Sequence, residues 1–358
     1  MLIKVLIVED SPVATAILKR ILEAAPQIQV VGTAKTGVEA LALLEKAQPD
    51  VICTDLHMPE MDGLTFTTEV MAIYPRPILV ISASVQEDDT CRVFELLQAG
   101  AVDIFPKPRT GLISDYEKIK EELIHKIRIL SGVKVMTRRR KAQLNQVSAS
   151  EVSAERTTNS DTVTRATTTA IKAVVIGAST GGPQAIETIL SALPGSFPVP
   201  IICVQHISEG FLQGFLDWLK HHSRLAIKIA ESGEVPVAGK VYFPPEKRHL
   251  EIDSRGRFRY SDAAPWMGHR PSVTVTMQSM AHYYHKKVLG ILLTGMGRDG
   301  AEGMQSIQQN GGWTIAQDGE SCVVFGMPKE AIALGAARQI LPLNAIAPAL
   351  IERVGVGV

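Results

Sequence analysis

The segment VVIGASTGGP, residues 174–183, joins an apolar run to a cluster of glycines and other small residues. The apolar run predicts a buried β-strand, and the small residues predict a tight turn into a helix. Such a turn can cradle a phosphate with backbone N–H groups, or it can expose Ser179 as a nucleophile. The segment fits G-x-S-x-G but matches neither G-x-G-x-x-G nor the ending of a P-loop. Taken alone, it leaves both interpretations open.

Strand and helix patterns also alternate in the first third of the chain. Apolar runs typical of strands lie at residues 3–8, 30–33, 51–54, 78–82 and 102–105. Amphipathic helical patterns lie between them, for example at 13–24 and 37–46, and a final one repeats Ile119, Leu123 and Ile127. Five β–α repeats of this size predict a doubly wound, flavodoxin-like parallel sheet.

A second and larger α/β unit follows. Its strand candidates lie at residues 173–177, 201–205, 227–230, 240–243, 288–294 and 313–316. The region 231–260 has a hairpin-like pattern, which predicts added antiparallel strands. The fold class is therefore α/β, with two doubly wound and mostly parallel sheets.

The two units are separated by a Ser/Thr-rich stretch, QVSASEVSAERTTNSDTVTRATTTA, without aromatic residues or periodicity. Such a stretch buries too little apolar surface to offset chain entropy, which predicts a flexible linker. The predicted division is a first domain at 1–131, a linker at 132–169 and a second domain at 170–356. The basic run at 138–141 is interpreted as a solvated part of the linker.

Composition narrows the functional classes. Lys+Arg and Asp+Glu balance at 37 each, so no general attraction to nucleic acid or to an anionic membrane is expected. The apolar N-terminal run is too short for a membrane span and lacks the flanks of a signal peptide. The four cysteines lie far apart without zinc-site spacing, which favours reduced thiols in a cytoplasmic protein.

Polar side chains cluster at the predicted strand ends of the first unit. Because carboxyl ends of parallel strands meet at one edge, these residues should converge: Glu9, Asp10, Asp55, Ser82 and Lys107. Three carboxylates in one crevice favour a hard cation such as Mg²⁺. A carboxylate beside a metal, a lysine and a hydroxyl is a plausible phosphoryl acceptor. Taken singly, each residue has a simpler interpretation; Asp10 or Ser11, for example, could be the N-cap of a helix.

Three residues of the second unit also follow predicted parallel strands and should therefore lie at one sheet edge. Ser179 follows its first strand, His206 ends the next, and Asp299 lies just beyond a later apolar strand. A nucleophilic serine needs a base and an orienting acid, and these three could supply a Ser–His–Asp triad. Their chain order differs from the Ser, Asp, His order of α/β-hydrolases, so that fold is not predicted.

Other assignments compete at this site. His249 and His269 are alternative bases, and Asp318 is an alternative acid. His206 could be an ordinary, partly buried histidine. Asp299 could instead open a capping box over residues 299–302.

The motifs VLIVEDSP, DLHMPEMDG, VISAS and PKP resemble the receiver domain of two-component response regulators, over about residues 2–130. The resemblance implies that Asp55 is the phosphoacceptor, Ser82 the switch hydroxyl and Lys107 the partner of the phosphoryl group. It also implies Mg²⁺ binding by Glu9, Asp10, Asp55 and the backbone carbonyl of His57. Glu9 stands where many receivers carry Asp, and Ser82 where many carry Thr; both keep the required chemistry.

The motifs IGASTGGP, VQHI, HRPSV, LLTGMGRDGAEGM and AQDGESCVVFGMPKEAI resemble the catalytic domain of the CheB family over about residues 170–354. This resemblance implies Ser179 as nucleophile, His206 as general base and acid, and Asp299 as orienting carboxylate. No cofactor is implied for the esterase chemistry. Backbone donors for the oxyanion are expected in the loop after Ser179 or the turn at 295–297. The residues expected at this edge of the site are Thr180, Gly181, Met296 and Gly297.

The implied function is a phosphorylation-controlled protein-glutamate methylesterase of chemotaxis that also deamidates receptor glutamines. The implied partners are methylated chemoreceptors as substrate and the chemotaxis histidine kinase CheA as phosphodonor. Two other classes stay open: a docking module that has lost catalysis, and a nucleotide-binding enzyme that uses the glycine loop. No nucleic acid and no direct membrane insertion is expected.

Overall fold

Two parallel sheets organise the chain in the computed structural model, which describes residues 2–82, 87–107, 113–135 and 170–355. Of residues 87–91 and 113–118 it describes the backbone only. The predicted linker falls largely at 136–169, outside the described residues. Its first residues are described, and Val133 and Val135 pack on the core of the first unit.

The first unit has a five-stranded sheet in the order β2-β1-β3-β4-β5, with every pairing parallel. Its strands are β1 (Ile3–Val8), β2 (Ile28–Ala34), β3 (Val51–Thr54), β4 (Ile78–Ser82) and β5 (Asp103–Pro106). Its helices are α1 (Pro12–Glu23), α2 (Gly37–Ala47), α3 (Gly63–Ile73), α4 (Glu87–Ala99) and α5 (Ile113–Leu130). The strand order reverses between β1 and β3, so the crevice for chemistry opens where Glu9 and Asp55 follow those strands.

The second unit has a seven-stranded sheet in the order β14-β13-β12-β6-β7-β9-β8, also wholly parallel. Its strands are β6 (Ala173–Ala178), β7 (Ile201–Gln205), β8 (Ala226–Ile229), β9 (Lys240–Phe243), β12 (Val288–Leu292), β13 (Trp313–Gln317) and β14 (Gln339–Leu341). Its helices are α6 (Gly182–Ser191), α7 (Leu212–His222), α8 (Val273–Tyr284), α9 (Ala301–Gln309), α10 (Met327–Ala333) and α11 (Leu343–Val354). The order reverses around β6, where the glycine loop begins.

The predicted hairpin is present as a separate two-stranded antiparallel sheet of β10 (His249–Ile252) and β11 (Phe258–Ser261). Not all of the region 231–260 is antiparallel, because β9 joins the main sheet beside β7 with parallel register. The α/β fold class, with two mostly parallel sheets and an added hairpin, is therefore confirmed. The strand β14 had no counterpart in the sequence prediction, since its three residues are too few for a periodic pattern.

An apolar contact joins the two units between α4 and α7. The ring of Phe94 lies 5.3 Å from that of Phe215 and 5.7 Å from that of Trp218, centre to centre. All three side chains are buried. At its edge, the side chain of Gln98 contacts the His222 ring at 3.0 Å.

None of the helices in the described ranges is both long and apolar enough to cross a membrane. The thiols whose surroundings are described are free, with Cys53 and Cys203 buried and Cys322 partly exposed. Burial raises the pKa of the Cys53 thiol to about 12, so this group stays protonated at neutral pH.

Candidate active site and acidic cluster

The glycine loop, residues 177–182, is a tight turn between β6 and α6. The Gly182 N–H donates to the Ser179 carbonyl at 2.8 Å, and the Ser179 N–H donates to Thr294 O at 3.1 Å. Gly181 has a φ of 76°, a left-handed conformation that a side chain would strain. A Cβ on Gly295 would lie 2.7 Å from the Cβ of Ser179, so only glycine lets that turn approach the loop. The backbone therefore holds Ser179 at the strand end, where it is partly exposed.

His206 follows β7 and is tied to the same loop. Its N–H donates to Ala178 O at 2.9 Å, and Gln205 Nε2 donates to the carbonyls of both Ser179 and His206 at 2.8 Å. The Nε2 atom of His206 lies 2.9 Å from Asp299 Oδ2. Its Nδ1 atom is buried and has no hydrogen-bond partner. The ring therefore uses one nitrogen for the acid and leaves the other free to act as a base.

Asp299 lies at the N-terminus of helix α8. Its Oδ1 accepts from the Ser272 hydroxyl at 2.8 Å and from the Thr274 N–H at 2.9 Å. Its Oδ2 accepts from the Val273 N–H at 2.8 Å as well as from His206. Burial alone would raise the pKa of Asp299, but the bonds from His206 and Thr274 and the nearby His206 charge hold it well below its ordinary value. The carboxylate is thus an ionised group at the positive end of a helix dipole.

The capping-box interpretation of Asp299 is wrong. Helix α9 begins after Gly300, which has a φ of 95° and no capping side chain. The capping residue here is Ser272, whose hydroxyl accepts from the Val275 N–H on α8. Asp299 instead accepts from the buried N–H groups of Val273 and Thr274 in the first turn of that neighbouring helix.

The competing residues have other surroundings. His249 is fully buried, accepts from the Ser272 N–H through Nδ1, and contacts Ala264 O through Nε2. Asp318 accepts from the N–H and hydroxyl of Ser321, within its own turn. His269 does reach the site, where its ring lies parallel to that of His206, 3.9 Å away and at 6°. Sequence reasoning had named His269 only as an alternative base.

A cavity of about 390 Å³ lies over these side chains, and the first unit supplies part of its wall. From the second unit it is lined by Ser179, Thr180, His206, Met296, Gly297 and Asp299, among others. Asp103, Glu122, His125 and Lys126 reach it from β5 and α5.

A direct polar contact also crosses between the units. The Thr180 hydroxyl donates to Asp103 Oδ2 at 2.8 Å, and Lys126 Nζ lies 2.5 Å from the same oxygen. Gln184 Nε2 donates to Ala101 O at 2.9 Å. The first unit thus holds the residue next to Ser179 as well as the start of α6.

The acidic cluster lies at the carboxyl ends of the strands in the first unit. One oxygen each from Glu9, Asp10 and Asp55 lies within 4.8 Å of the others. Lys107 Nζ donates to Glu9 Oε1 at 2.7 Å and to Asp55 Oδ2 at 2.8 Å. Ser82 is buried beside them, and its carbonyl accepts from the Lys107 N–H at 2.8 Å. The five residues predicted to converge therefore do so, whereas a ligand role for the His57 carbonyl stays a prediction.

The cluster fits a divalent cation. Glu9 is buried, and its Oε2 atom has no hydrogen-bond partner. Burial raises the pKa of Glu9, and the charge of Asp55 adds to this, although Lys107 opposes it. The N-cap interpretation holds for Ser11, which accepts from the Ala14 N–H, but Asp10 is exposed and open to a ligand. An unpaired carboxylate oxygen beside two further carboxylates is a donor set for a hard metal ion.

Comparisons with known proteins agree with both halves. A family model described as CheB methylesterase matches residues 174–350, and one described as response regulator receiver domain matches residues 5–114. The protein-glutamate methylesterase/protein-glutamine glutaminase of Nitrosospira multiformis is 41% identical over 349 residues, which are 98% of this chain and 96% of that protein. A relative of the same description, numbered 2, from Methanospirillum hungatei is 41% identical over 95% of each chain.

A solved structure supports the second half. The crystal structure of the Thermotoga maritima CheB methylesterase catalytic domain is 41% identical, with a TM-score of 0.50. The match covers 51% of this chain and 99% of that one. The chain therefore belongs to the CheB methylesterase family and carries a response regulator receiver domain before its methylesterase domain.

Proposed function

We propose that this protein is a phosphorylation-controlled serine esterase that hydrolyses glutamate γ-methyl esters on chemoreceptors. The observation that carries the proposal is the His206 ring, bonded to Asp299 through Nε2 and free at a buried Nδ1. Ser179 and His206 line the same cavity. Acyl transfer requires a base nitrogen without a competing partner that shares one cavity with a serine on a tight turn.

In the first half-reaction, Ser179 Oγ attacks the ester carbonyl and Nδ1 of His206 accepts its proton. Asp299 stabilises the imidazolium and keeps its other proton on Nε2. The tetrahedral intermediate collapses, the C–O bond to the methoxy group breaks, and the proton on Nδ1 passes to the leaving methanol. A water then attacks the acyl-enzyme by the same route and releases the glutamate carboxylate.

The oxyanion needs preorganised donors close to Ser179. The Ser179 N–H is already bonded to Thr294 O, and the Gly295 N–H to Val324 O. This leaves the N–H groups of Thr180, Gly181, Met296 and Gly297 as donor candidates. Attack on a glutamine amide follows the same steps with ammonia as the leaving group, so we extend the proposal to deamidation.

The test is release of methanol from methylated receptor by the wild type and by Ser179→Ala. We expect a loss of about 10³-fold or more, because the nucleophile is removed. Undiminished release by the variant would exclude Ser179 as the nucleophile. Loss of release also separates the esterase from a receptor-docking module, since docking needs no serine hydroxyl.

We further propose that phosphorylation of Asp55 controls access to this site. The receiver lines the cavity above Ser179 and binds Thr180 through Asp103, which supports a restricted ground state. A phosphoryl group on Asp55 would compete for Lys107, whose ammonium now binds Glu9 and Asp55. Lys107 directly follows β5, the strand that carries Asp103, so a shift there reaches the interface.

Glu9, Asp10 and Asp55 would hold Mg²⁺ for this step, and the His57 carbonyl is the remaining expected ligand. The ion would neutralise charge on the phosphoryl oxygens. Ser82 and Lys107 would contact the phosphoryl group. A chemotaxis histidine kinase of the CheA type is the proposed phosphodonor, and the proposed location is the cytoplasm.

Asp55→Asn tests this control. With Mg²⁺ and a small phosphodonor, the wild type should gain esterase activity and Asp55→Asn should not. Adding EDTA should abolish the gain in the wild type while its basal rate stays the same. Equal activation of both proteins would contradict control through Asp55.

A further inference from the structure

The imidazole of His206 has only one hydrogen bond to hold it. Its Nε2 atom is bonded to Asp299, and its Nδ1 atom is without a partner. A single hydrogen bond fixes the ring at one edge only, and rotation about the Cβ–Cγ bond would move Nδ1 within the cavity that His206 shares with Ser179. A second constraint is needed if the base is to stay within reach of the nucleophile.

The ring of His269 supplies a surface for that constraint. The two imidazoles are nearly parallel, at 6°, with centres 3.9 Å apart. Face-to-face contact of this kind opposes tilting of one ring relative to the other. It leaves the edges of the rings, where the nitrogens lie, free to form hydrogen bonds.

The backbone around His269 is itself well held. Trp266 and His269 exchange two N–H to carbonyl bonds, at 2.9 and 3.0 Å, across a tight turn. The central residues Met267 and Gly268 both have positive φ, at 49° and 86°, as this turn type requires. The Arg270 guanidinium bonds the carbonyl of Asp262 on the approach to the turn. The His269 ring therefore belongs to a hydrogen-bonded turn that lies directly before helix α8.

The charge state of His269 suits this role. Burial lowers the pKa of His269 to about 4, and the neighbouring His206 contributes to the shift. The ring is therefore neutral at physiological pH. A neutral ring face attracts the imidazolium that forms on His206 during catalysis, whereas a charged ring would repel it.

We propose that His269 is a positioning residue for the esterase reaction, which holds the His206 imidazole by stacking so that its free nitrogen faces Ser179. This inference rests on the proposed function. It assigns His269 a role different from that of an alternative base, because its flat ring and not its nitrogen atoms would matter.

The experiment compares His269→Ala, His269→Leu and His269→Phe in the full chain. Two rates are measured: methanol release from methylated receptor, and inactivation of Ser179 by a small fluorophosphonate. The second rate reports nucleophile activation without receptor binding. We expect Ala and Leu to lower kcat and the inactivation rate by about threefold to tenfold, with KM changed by less than about twofold. Phe, which keeps a flat ring, should restore both rates.

Two controls make the outcome decisive. His282→Ala removes an exposed histidine on α8 and should match the wild type. Ser179→Ala is run beside the others, so retention of its activity would defeat the proposed function itself. If Ser179→Ala is inactive but His269→Ala equals the wild type, only the stacking role fails. It also fails if Phe restores neither rate, because the planar ring is then not the determinant.

Discussion

The buried carboxylates of the candidate active site and of the acidic cluster have opposite surroundings. Asp299 is bonded to four donors, from His206, Ser272, Val273 and Thr274. Glu9 shares the Lys107 ammonium with Asp55 and keeps one buried oxygen without a partner. The pKa of Asp299 is lowered below its ordinary value, whereas that of Glu9 is raised.

The difference fits the role that we propose for each site. A Ser–His–Asp triad works with a permanently ionised acid, and the four donors around Asp299 would keep it ionised. A site that receives a cation and a phosphoryl group must keep ligand positions open, and it bears unpaired charge until they arrive. The first carboxylate therefore stabilises the fold, and the second costs stability in the absence of the metal.

Among the predicted changes, Asp299→Asn should have the largest effect, which is a loss of esterase activity. Every neighbour of the carboxylate donates a hydrogen bond, so the amide NH₂ could be satisfied only by an unprotonated Nε2 on His206. That tautomer places the ring proton on Nδ1, which then cannot accept from Ser179. We expect methanol release to fall by about 10³- to 10⁴-fold.

The control for this variant is Asp318→Asn, because the sequence offers Asp318 as the alternative acid of the triad. It should keep full activity, because the Asp318 carboxylate accepts hydrogen bonds from Ser321 in its own turn. Equal losses in the two variants would contradict the assignment of Asp299.

The sequence predicted the triad and the acidic cluster for one shared reason. Parallel strands end at a common edge, and Glu9, Asp55, Ser179 and His206 follow directly on buried strands. Strand positions come from local hydrophobic patterns, so the residues after them can be placed without knowing the packing.

What the sequence could not predict depends on how distant segments pack. Ser272 bonds Asp299 and His269 stacks on His206 from the loop before α8, and no local pattern indicates which candidate histidine packs there. The bond from Thr180 to Asp103 exists only because the two units dock. The motif HRPSV was a usable signal, since it placed a histidine and a serine together in a match to the family. Domain boundaries at 131 and 169 stay predictions.

The difference in stability between the wild type and Asp299→Asn should depend on pH, because the pKa of Asp299 is lowered in the folded state. A carboxyl with a lowered folded-state pKa stabilises the fold above its unfolded value of about 4, and loses this contribution as pH falls through the folded value. We expect the variant to be about 1–3 kcal/mol less stable at pH 7. Urea unfolding of both proteins at pH 7, at about pH 4 and at about pH 2.5 measures the difference in stability, which should narrow mainly below pH 4. A gap that widens in acid would contradict the lowered pKa.

Asp103→Asn tests whether the two sites communicate. Asn keeps the shape of Asp103 but loses the charge that binds Lys126 and that would repel an oxyanion forming near Thr180. We expect methanol release without phosphodonor to rise about threefold to tenfold. Release after phosphodonor treatment should change little. Asp253→Asn, in the exposed turn after β10, is the matched control.

An unchanged basal rate in Asp103→Asn would mean that the receiver restricts the site through apolar packing alone. Phe94 and Trp218 would then be the next positions to examine, since they carry the contact between α4 and α7.

Glu9→Gln should have the smallest effect, with the opposite sign to Asp299→Asn. Because the folded-state pKa of Glu9 is raised, its ionisation costs stability at neutral pH, and this cost disappears below its unfolded value of about 4. Without metal, the variant should be more stable than the wild type by about 1 kcal/mol at pH 7 and no more stable at low pH. With Mg²⁺, the order should reverse, because the wild type alone keeps all three carboxylates. Glu45→Gln, an exposed change on α2, should show neither effect. A destabilised Glu9→Gln in EDTA at pH 7 would mean that the Lys107 bond outweighs the cost of burying an unpaired oxygen, and the contrast between the two sites would fail.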